Sequence, residues 1–96
     1  MLTKKQINGD GQVRVTFILP ARDAEDVRLL GDFTEWRTSK PMRRSRDGTW
    51  RVVLDLPAGR EFGFRYLLDG THWENDPSAD KYVRNPFGSD NSVVVT

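Results

Sequence analysis

The sequence predicts an all-β protein, an immunoglobulin-like sandwich of about seven short antiparallel strands. Three observations predict it. Apolar residues recur with a period of two, the alternating runs are short, and turn-forming Gly, Pro, Asn and Asp residues separate them. A chain of 96 residues has room for one domain with one core and none for a separate catalytic domain. Residues 1–11 are polar and are read as a flexible N-terminal segment, and residues 12–96 as the single sandwich domain.

The strands follow in order. In residues 12–19 the odd positions Val13, Val15, Phe17 and Leu19 are apolar and the even ones mostly polar, which suits a half-buried strand that Pro20 ends. Residues 26–31 place Val27 and Leu29 on one side. Residues 49–56 alternate Trp50, Val52 and Leu54 against Arg51, Val53 and Asp55. Residues 61–69 alternate most clearly, with Phe62, Phe64, Tyr66 and Leu68 on one face and Gly63, Arg65 and Leu67 on the other. Asp69-Gly70 signals a hairpin turn, after which residues 72–74 return. Short strands at Tyr82-Val83 and residues 92–96 complete the set. Further turns are read at Asn8-Gly9-Asp10-Gly11, Asp47-Gly48, Pro57-Ala58-Gly59, Asp76-Pro77 and Asn85-Pro86. The one helix candidate, residues 21–26, is too short to organise anything.

Composition narrows the function. Fifteen basic and fourteen acidic side chains leave a formal charge of +1, which gives no global field for a polyanion. There is no cysteine, so disulfide and thiolate chemistry are excluded. The first residues carry charges with no apolar run behind them, and no long apolar stretch follows, so neither a secretory signal nor a membrane span is expected. The expected setting is cytoplasmic, without membrane or nucleic-acid partners. The basic run Arg37, Lys40, Arg43, Arg44 and Arg46 is diluted by Asp32, Glu35 and Asp47 and reads as a solvated loop. His72 is the single histidine, which excludes a metal centre built on imidazoles, and no cofactor is implied. Asp76, Asp80 and Asp90 could offer a carboxylate pair for glycoside hydrolysis, but turn chemistry accounts for them better.

Three tryptophans carry the functional question. Trp50 shares the apolar phase with Val52 and Leu54 and reads as core. Trp36, at a loop edge before Arg37-Thr38-Ser39-Lys40, and Trp73, between His72 and Glu74, keep polar company. Spacing alone fits two roles for them equally: caps on the sandwich ends, or an exposed aromatic platform. Sugars give such a platform a reason, because the axial C–H face of a glucose ring stacks on an indole while its hydroxyls need directional partners. Arg65, Asn75, Ser89 and Asn91 are suitable partners at that end of the fold.

Ordered motifs then carry a resemblance. They are Gly31-Asp32-Phe33-Thr34-Glu35-Trp36, Pro41-Met42, Asp47-Gly48-Thr49-Trp50, Leu56-Pro57-Ala58-Gly59, residues 62–70, Trp73-Glu74-Asn75-Asp76-Pro77 and residues 87–94. This sequence resembles the isoamylase N-terminal early-set domains and family-48 carbohydrate-binding modules over about residues 13–96, including the glycogen-binding domain of the AMP-activated protein kinase β subunit. The resemblance implies an early-set sandwich that binds an α-1,4-glucan and catalyses nothing. It also implies stacking on Trp36 and Trp73, hydrogen bonding by Arg65 in place of a lysine, and sugar contacts from Phe87, Ser89 and Asn91. The expected partner is a glycogen- or starch-type oligosaccharide or polysaccharide, bound by a monomer or weak dimer. The alternative is a protein-interaction module of the same fold that docks on a separate glucan-metabolising enzyme and has lost the sugar.

Overall fold

The computed structural model describes every residue except Asn8 and Asp10, so part of the turn read at residues 8–11 lies outside the described residues. Among the described residues, ten strands form two antiparallel sheets. In chain order they are β1 (Leu2–Ile7), β2 (Gln12–Pro20), β3 (Val27–Gly31), β4 (Lys40–Pro41), β5 (Arg43–Arg44), β6 (Thr49–Pro57), β7 (Glu61–Leu68), β8 (His72–Glu74), β9 (Lys81–Arg84) and β10 (Asp90–Val95). One sheet has the order β1-β2-β6-β5, and the other β4-β3-β7-β10-β9 with β8 also paired to β7.

All seven strands expected from periodicity are present. Residues 21–26 form turns, and the one helical element among the described residues is a 3-10 turn at Asp32–Thr34. Two additions, β4 and β5, are two residues each, too short for alternation to register. The third, β1, corrects the reading of residues 1–11 as a loose lead-in: Leu2 lies opposite Phe17 and Ile7 opposite Gln12 in a continuous antiparallel register. Without β1, the outer N–H and C=O groups of β2 would be unpaired. An edge strand tolerates polar side chains, so composition did not reveal this one. Lys4 Nζ, 2.6 Å from Asp80 Oδ2, ties it across to the other sheet.

The period of two builds the core. Across β2 and β6, Val13 faces Leu56, Val15 faces Leu54, Phe17 faces Val52 and Leu19 faces Trp50. Phe62, Phe64 and Tyr66 of β7 meet them from the second sheet, and Phe17 and Phe64 pack edge to face at 5.1 Å. Trp50 is buried as its phase predicts; its indole N–H donates to Ala21 O at 3.0 Å, and the Arg44 guanidinium lies 4.9 Å above its ring. One member of the basic run is therefore engaged with the core. The alternate residues of β7, Gly63, Arg65 and Leu67, face outward, with Leu30 opposite Arg65 and Trp73 opposite Leu67.

One buried carboxylate joins these layers. Asp76, read from the sequence as a turn residue, does accept from Ser78 N at 2.7 Å, but it is also fully buried. Its Oδ2 accepts from the Tyr66 hydroxyl at 2.7 Å, its Oδ atoms lie 2.6 Å from the Met1 amino group, and its N–H donates to Ser92 Oγ at 2.8 Å. Burial, helped by the adjacent carboxylate, pushes the Tyr66 hydroxyl far above the ordinary tyrosine range.

An unfolded chain releases the tyrosine proton above about pH 10, whereas the folded chain keeps it. The unfolded state then binds fewer protons, so stability falls as pH rises past about 10, by up to about 1.4 kcal/mol per pH unit from this group. Tyr66→Phe is expected to lower urea stability at neutral pH by about 1–3 kcal/mol, because a buried carboxylate loses a donor. It should also flatten the alkaline loss. Denaturation curves at neutral pH and above pH 10 check both, and an unchanged alkaline slope would assign that loss to other groups.

Candidate binding site

The outer face of the second sheet carries the site, and the loop from Gly31 to Trp36 forms one wall. Gly31 has extended backbone, so its requirement for glycine comes from crowding. An added Cβ would lie 2.5 Å from Gly63 O and 2.8 Å from the Phe33 ring. That ring packs on Phe17 at 5.7 Å and on Phe62 at 6.1 Å, which pins the 3-10 turn to the core. Thr34 closes the turn: Gly31 N donates to its hydroxyl at 3.2 Å, and the hydroxyl donates to Gly31 O at 2.9 Å.

Beyond this turn the chain takes two successive left-handed residues, Glu35 at φ 54° and Trp36 at φ 59°. Left-handed backbone costs a non-glycine residue about 1–2 kcal/mol, and such outliers cluster at functional sites. Here it sets the direction of the indole. Asp32 fixes the ring, because Oδ1 accepts from Trp36 Nε1 at 2.8 Å while Oδ2 accepts from Gly63 N at 2.6 Å. Trp36 is thereby held half-buried against β7.

The opposite wall comes from β8 and the β9–β10 hairpin. Trp73, the middle residue of β8, is 45% exposed, and Phe87 at the hairpin tip is 93% exposed. Arg65 runs between the walls. One of its terminal nitrogens donates to Ser89 Oγ at 2.6 Å and to Asp90 O at 2.8 Å, and its buried Nε has no acceptor among the described residues. Asn75 Nδ2 also donates to Asp90 O, at 2.9 Å.

Trp36, Arg65, Trp73, Phe87 and Asn91 together line one open concavity of about 440 Å³. This volume falls within the roughly 300–1,000 Å³ of small-molecule sites. Ser89 does not line it and instead braces Arg65 from behind. Asn85 and Pro86 do line it, and sequence reasoning passed over them as turn punctuation. Their position immediately before Phe87 was the available signal. Asp76, the first of the three acidic residues considered for hydrolysis, is sealed in the core, and Asp80 Oδ2 is occupied by Lys4 and by Val95 N. The arrangement offers aromatic faces flanked by hydrogen-bond donors.

The fold and the site together define an antiparallel β-sandwich with an aromatic-walled pocket on one outer face. Comparison with known proteins narrows this description. The family described as the glycogen recognition site of AMP-activated protein kinase matches residues 13–96, and the chain belongs to that family. Protein FLOURY ENDOSPERM 6, chloroplastic, of Oryza sativa subsp. japonica is 35% identical over 88% of this chain and 16% of its own length. The 5'-AMP-activated protein kinase subunit beta-2 of Mus musculus is 31% identical over 86% of this chain and 29% of its own length. The 1,4-alpha-glucan branching enzyme GlgB of Nitrosomonas eutropha is 30% identical over 90% of this chain and 13% of its own length. This chain thus spans less than a third of each of these relatives. Among solved structures, apo pullulanase from Paenibacillus barengoltzii superposes with a TM-score of 0.60 at 24% identity, covering 90% of this chain and 13% of that one, a likeness of fold.

Two substitutions test the Trp36 wall with opposite signs. Asp32→Ala is expected to lower stability by about 1–2 kcal/mol and to change the Trp36 emission, because Gly63 N and the indole both lose their acceptor. Glu35→Gly is expected to leave the emission unchanged and to raise stability by up to about 1 kcal/mol, by relieving the left-handed strain. Urea melts followed by Trp fluorescence read both.

Proposed function

We propose that this domain binds α-1,4-glucan chains of the glycogen or starch type, stacking glucose units on Trp36 and Trp73 beside Arg65, Phe87 and Asn91, and that it catalyses no reaction. Membership of a glycogen-recognition family supports the ligand class. The observation that carries the site is convergence: side chains from the Gly31–Trp36 loop, β7, β8, the β9–β10 hairpin and β10 meet in one open pocket, although up to 55 positions separate them in sequence (Trp36 to Asn91).

The chemistry suits the ligand. Indole and phenyl faces match the apolar face of a glucose ring, and Arg65 and Asn91 supply donors for hydroxyl oxygens. A shallow, open pocket with few polar contacts predicts weak binding, on the order of micromolar to millimolar.

Titration with maltoheptaose or β-cyclodextrin, followed by Trp fluorescence, tests this reading. A saturable change is expected in the wild type. It should be lost or weakened at least about tenfold in Trp36→Ala and in Trp73→Ala, about the value of one stacking contact. Trp73→Ala should melt within about 0.5 kcal/mol of the wild type, as is usual for exposed positions. A folded wild type with no saturable response would instead support a protein-docking module. A response that survives both substitutions would place the sugar elsewhere on the domain.

A further inference from the structure

We infer that Asn85 is a positioning residue that fixes the amide of Asn91 with its NH2 group toward the pocket, so that this wall selects ligand oxygens that accept hydrogen bonds. The inference rests on the proposed glucan reading for its ligand and on the hairpin's hydrogen bonds for its geometry.

Two backbone groups of the hairpin have unambiguous polarity. The backbone N–H groups of Phe87 and Ser89 can only donate, and both point at the Asn85 side chain, at 2.9 and 3.2 Å. The atom they meet must therefore be the acceptor Oδ1. This turns Asn85 Nδ2 the other way, where it lies 2.9 Å from Ser89 Oγ and 3.3 Å from the Asn91 side chain. An NH2 group facing Asn91 needs an acceptor there, so Asn91 presents Oδ1 to Asn85 and its own Nδ2 is directed away. Asn91 lines the pocket, and its Nδ2 lies above Gly63, where even an added Cβ would stand 3.6 Å from it. Among the described residues, Nδ2 has no acceptor.

The same side chain shapes the hairpin that carries Phe87. Asn85 N donates to Ser89 O at 2.7 Å, and Gly88 N donates to Asn85 O at 3.2 Å, closing the turn around the side chain's own bonds. Trp36 Nε1 is already spent on Asp32. The polar side chains left facing the pocket, Arg65 and Asn91, are thus both donors. Adjacent ring hydroxyls, whose oxygens carry free lone pairs, are the complementary ligand groups.

Asn85→Asp separates the two tasks of this residue. A carboxylate still accepts from Phe87 N and Ser89 N, so the hairpin should hold and the melting midpoint change little. It cannot donate, so the Asn91 amide turns to donate to it and offers Oδ1 to the ligand instead. Affinity for β-cyclodextrin is expected to fall roughly 5- to 10-fold, the value of one hydrogen bond reversed in sense. In an Asn91→Ala background the same substitution should have no further effect, because Asn85 acts through Asn91.

An equal loss in both backgrounds, or no loss in either, overturns the inference. The side-chain NH2 resonance of Asn91 in the ligand-free protein gives an independent reading. It should move downfield in Asn85→Asp as it gains a carboxylate acceptor, and an unmoved resonance overturns the inference. A wild type that binds no glucan would defeat the proposed function alone and leave this resonance to decide the positioning role.

Discussion

The structure depends on a carboxylate with no solvent to receive it. Asp76 is fully buried, and a buried charge is tolerated only where its oxygens are matched by donors. Those donors come from separated parts of the chain: Tyr66 in the middle of β7, Ser78 two residues on, and the Met1 amino group beside β1. Satisfying one side chain therefore fixes β7, the loop after β8 and the start of β1 relative to one another. The backbone of Asp76 adds β10, through Ser92 Oγ. Ser92 in turn donates from both N–H and Oγ to Asn75 Oδ1, and Asn75 Nδ2 holds the Asp90 carbonyl that Arg65 also uses. A continuous hydrogen-bonded path thus leads from the core beneath Tyr66 to the guanidinium in the pocket. A buried network of this kind favours one arrangement, since any other would leave the Asp76 carboxylate without its donors.

The period of two then divides labour along β7. Phe62, Phe64 and Tyr66 are committed to the core, which leaves Gly63, Arg65 and Leu67 facing outward on a strand anchored by its buried face. Gly63 matters as much for what it lacks as Arg65 for what it has. Its bare Cα lets the Asp32 carboxylate reach its N–H, and that contact locates the Trp36 indole. The two walls are thereby referenced to the same strand, Trp36 through Gly63 and the β9–β10 hairpin through Arg65. Two loops that look independent in sequence are held in register by adjacent outward positions of one strand.

The fold was legible because alternation reports burial directly. Every strand that contributes a run to the core announced itself, and Trp50 was placed correctly by phase. The strands that did not register are those alternation cannot see: β4 and β5 have two residues each, and β1 is an edge strand with mostly exposed side chains. The lining of the candidate pocket was legible in part. Pattern and resemblance singled out Trp36, Arg65, Trp73, Phe87 and Asn91, and these line one pocket, while Ser89 stands behind it. Neither pattern nor resemblance could show that Asp76 is buried, because its local sequence is that of any Asx turn, and its long-range partners lie 10, 16 and 75 positions away. Asn85 was hidden for the same reason. An Asn-Pro pair reads as punctuation until its side-chain bonds are known.

Phe87 shows where folding energetics stop accounting for the sequence. A phenyl ring that is 93% exposed gains nothing from the core, and it leaves apolar area in water that a smaller or polar residue would not. Isolated exposed apolar residues are ordinary on protein surfaces. This one differs because the chain invests in holding it out. Asn85 accepts from two backbone N–H groups around it, and Arg84 donates to Gly88 O at 3.1 Å from the same turn. Across the pocket, Trp36 is held in a left-handed conformation that an unconstrained loop would relax. Strain on one wall and an exposed ring on the other both oppose stability, and both place an aromatic side chain beside the same space. Hydrogen bonds that fix the backbone around Phe87 and the indole of Trp36 reduce the ordering left for a ligand to impose, which is the condition that most favours binding at a shallow site.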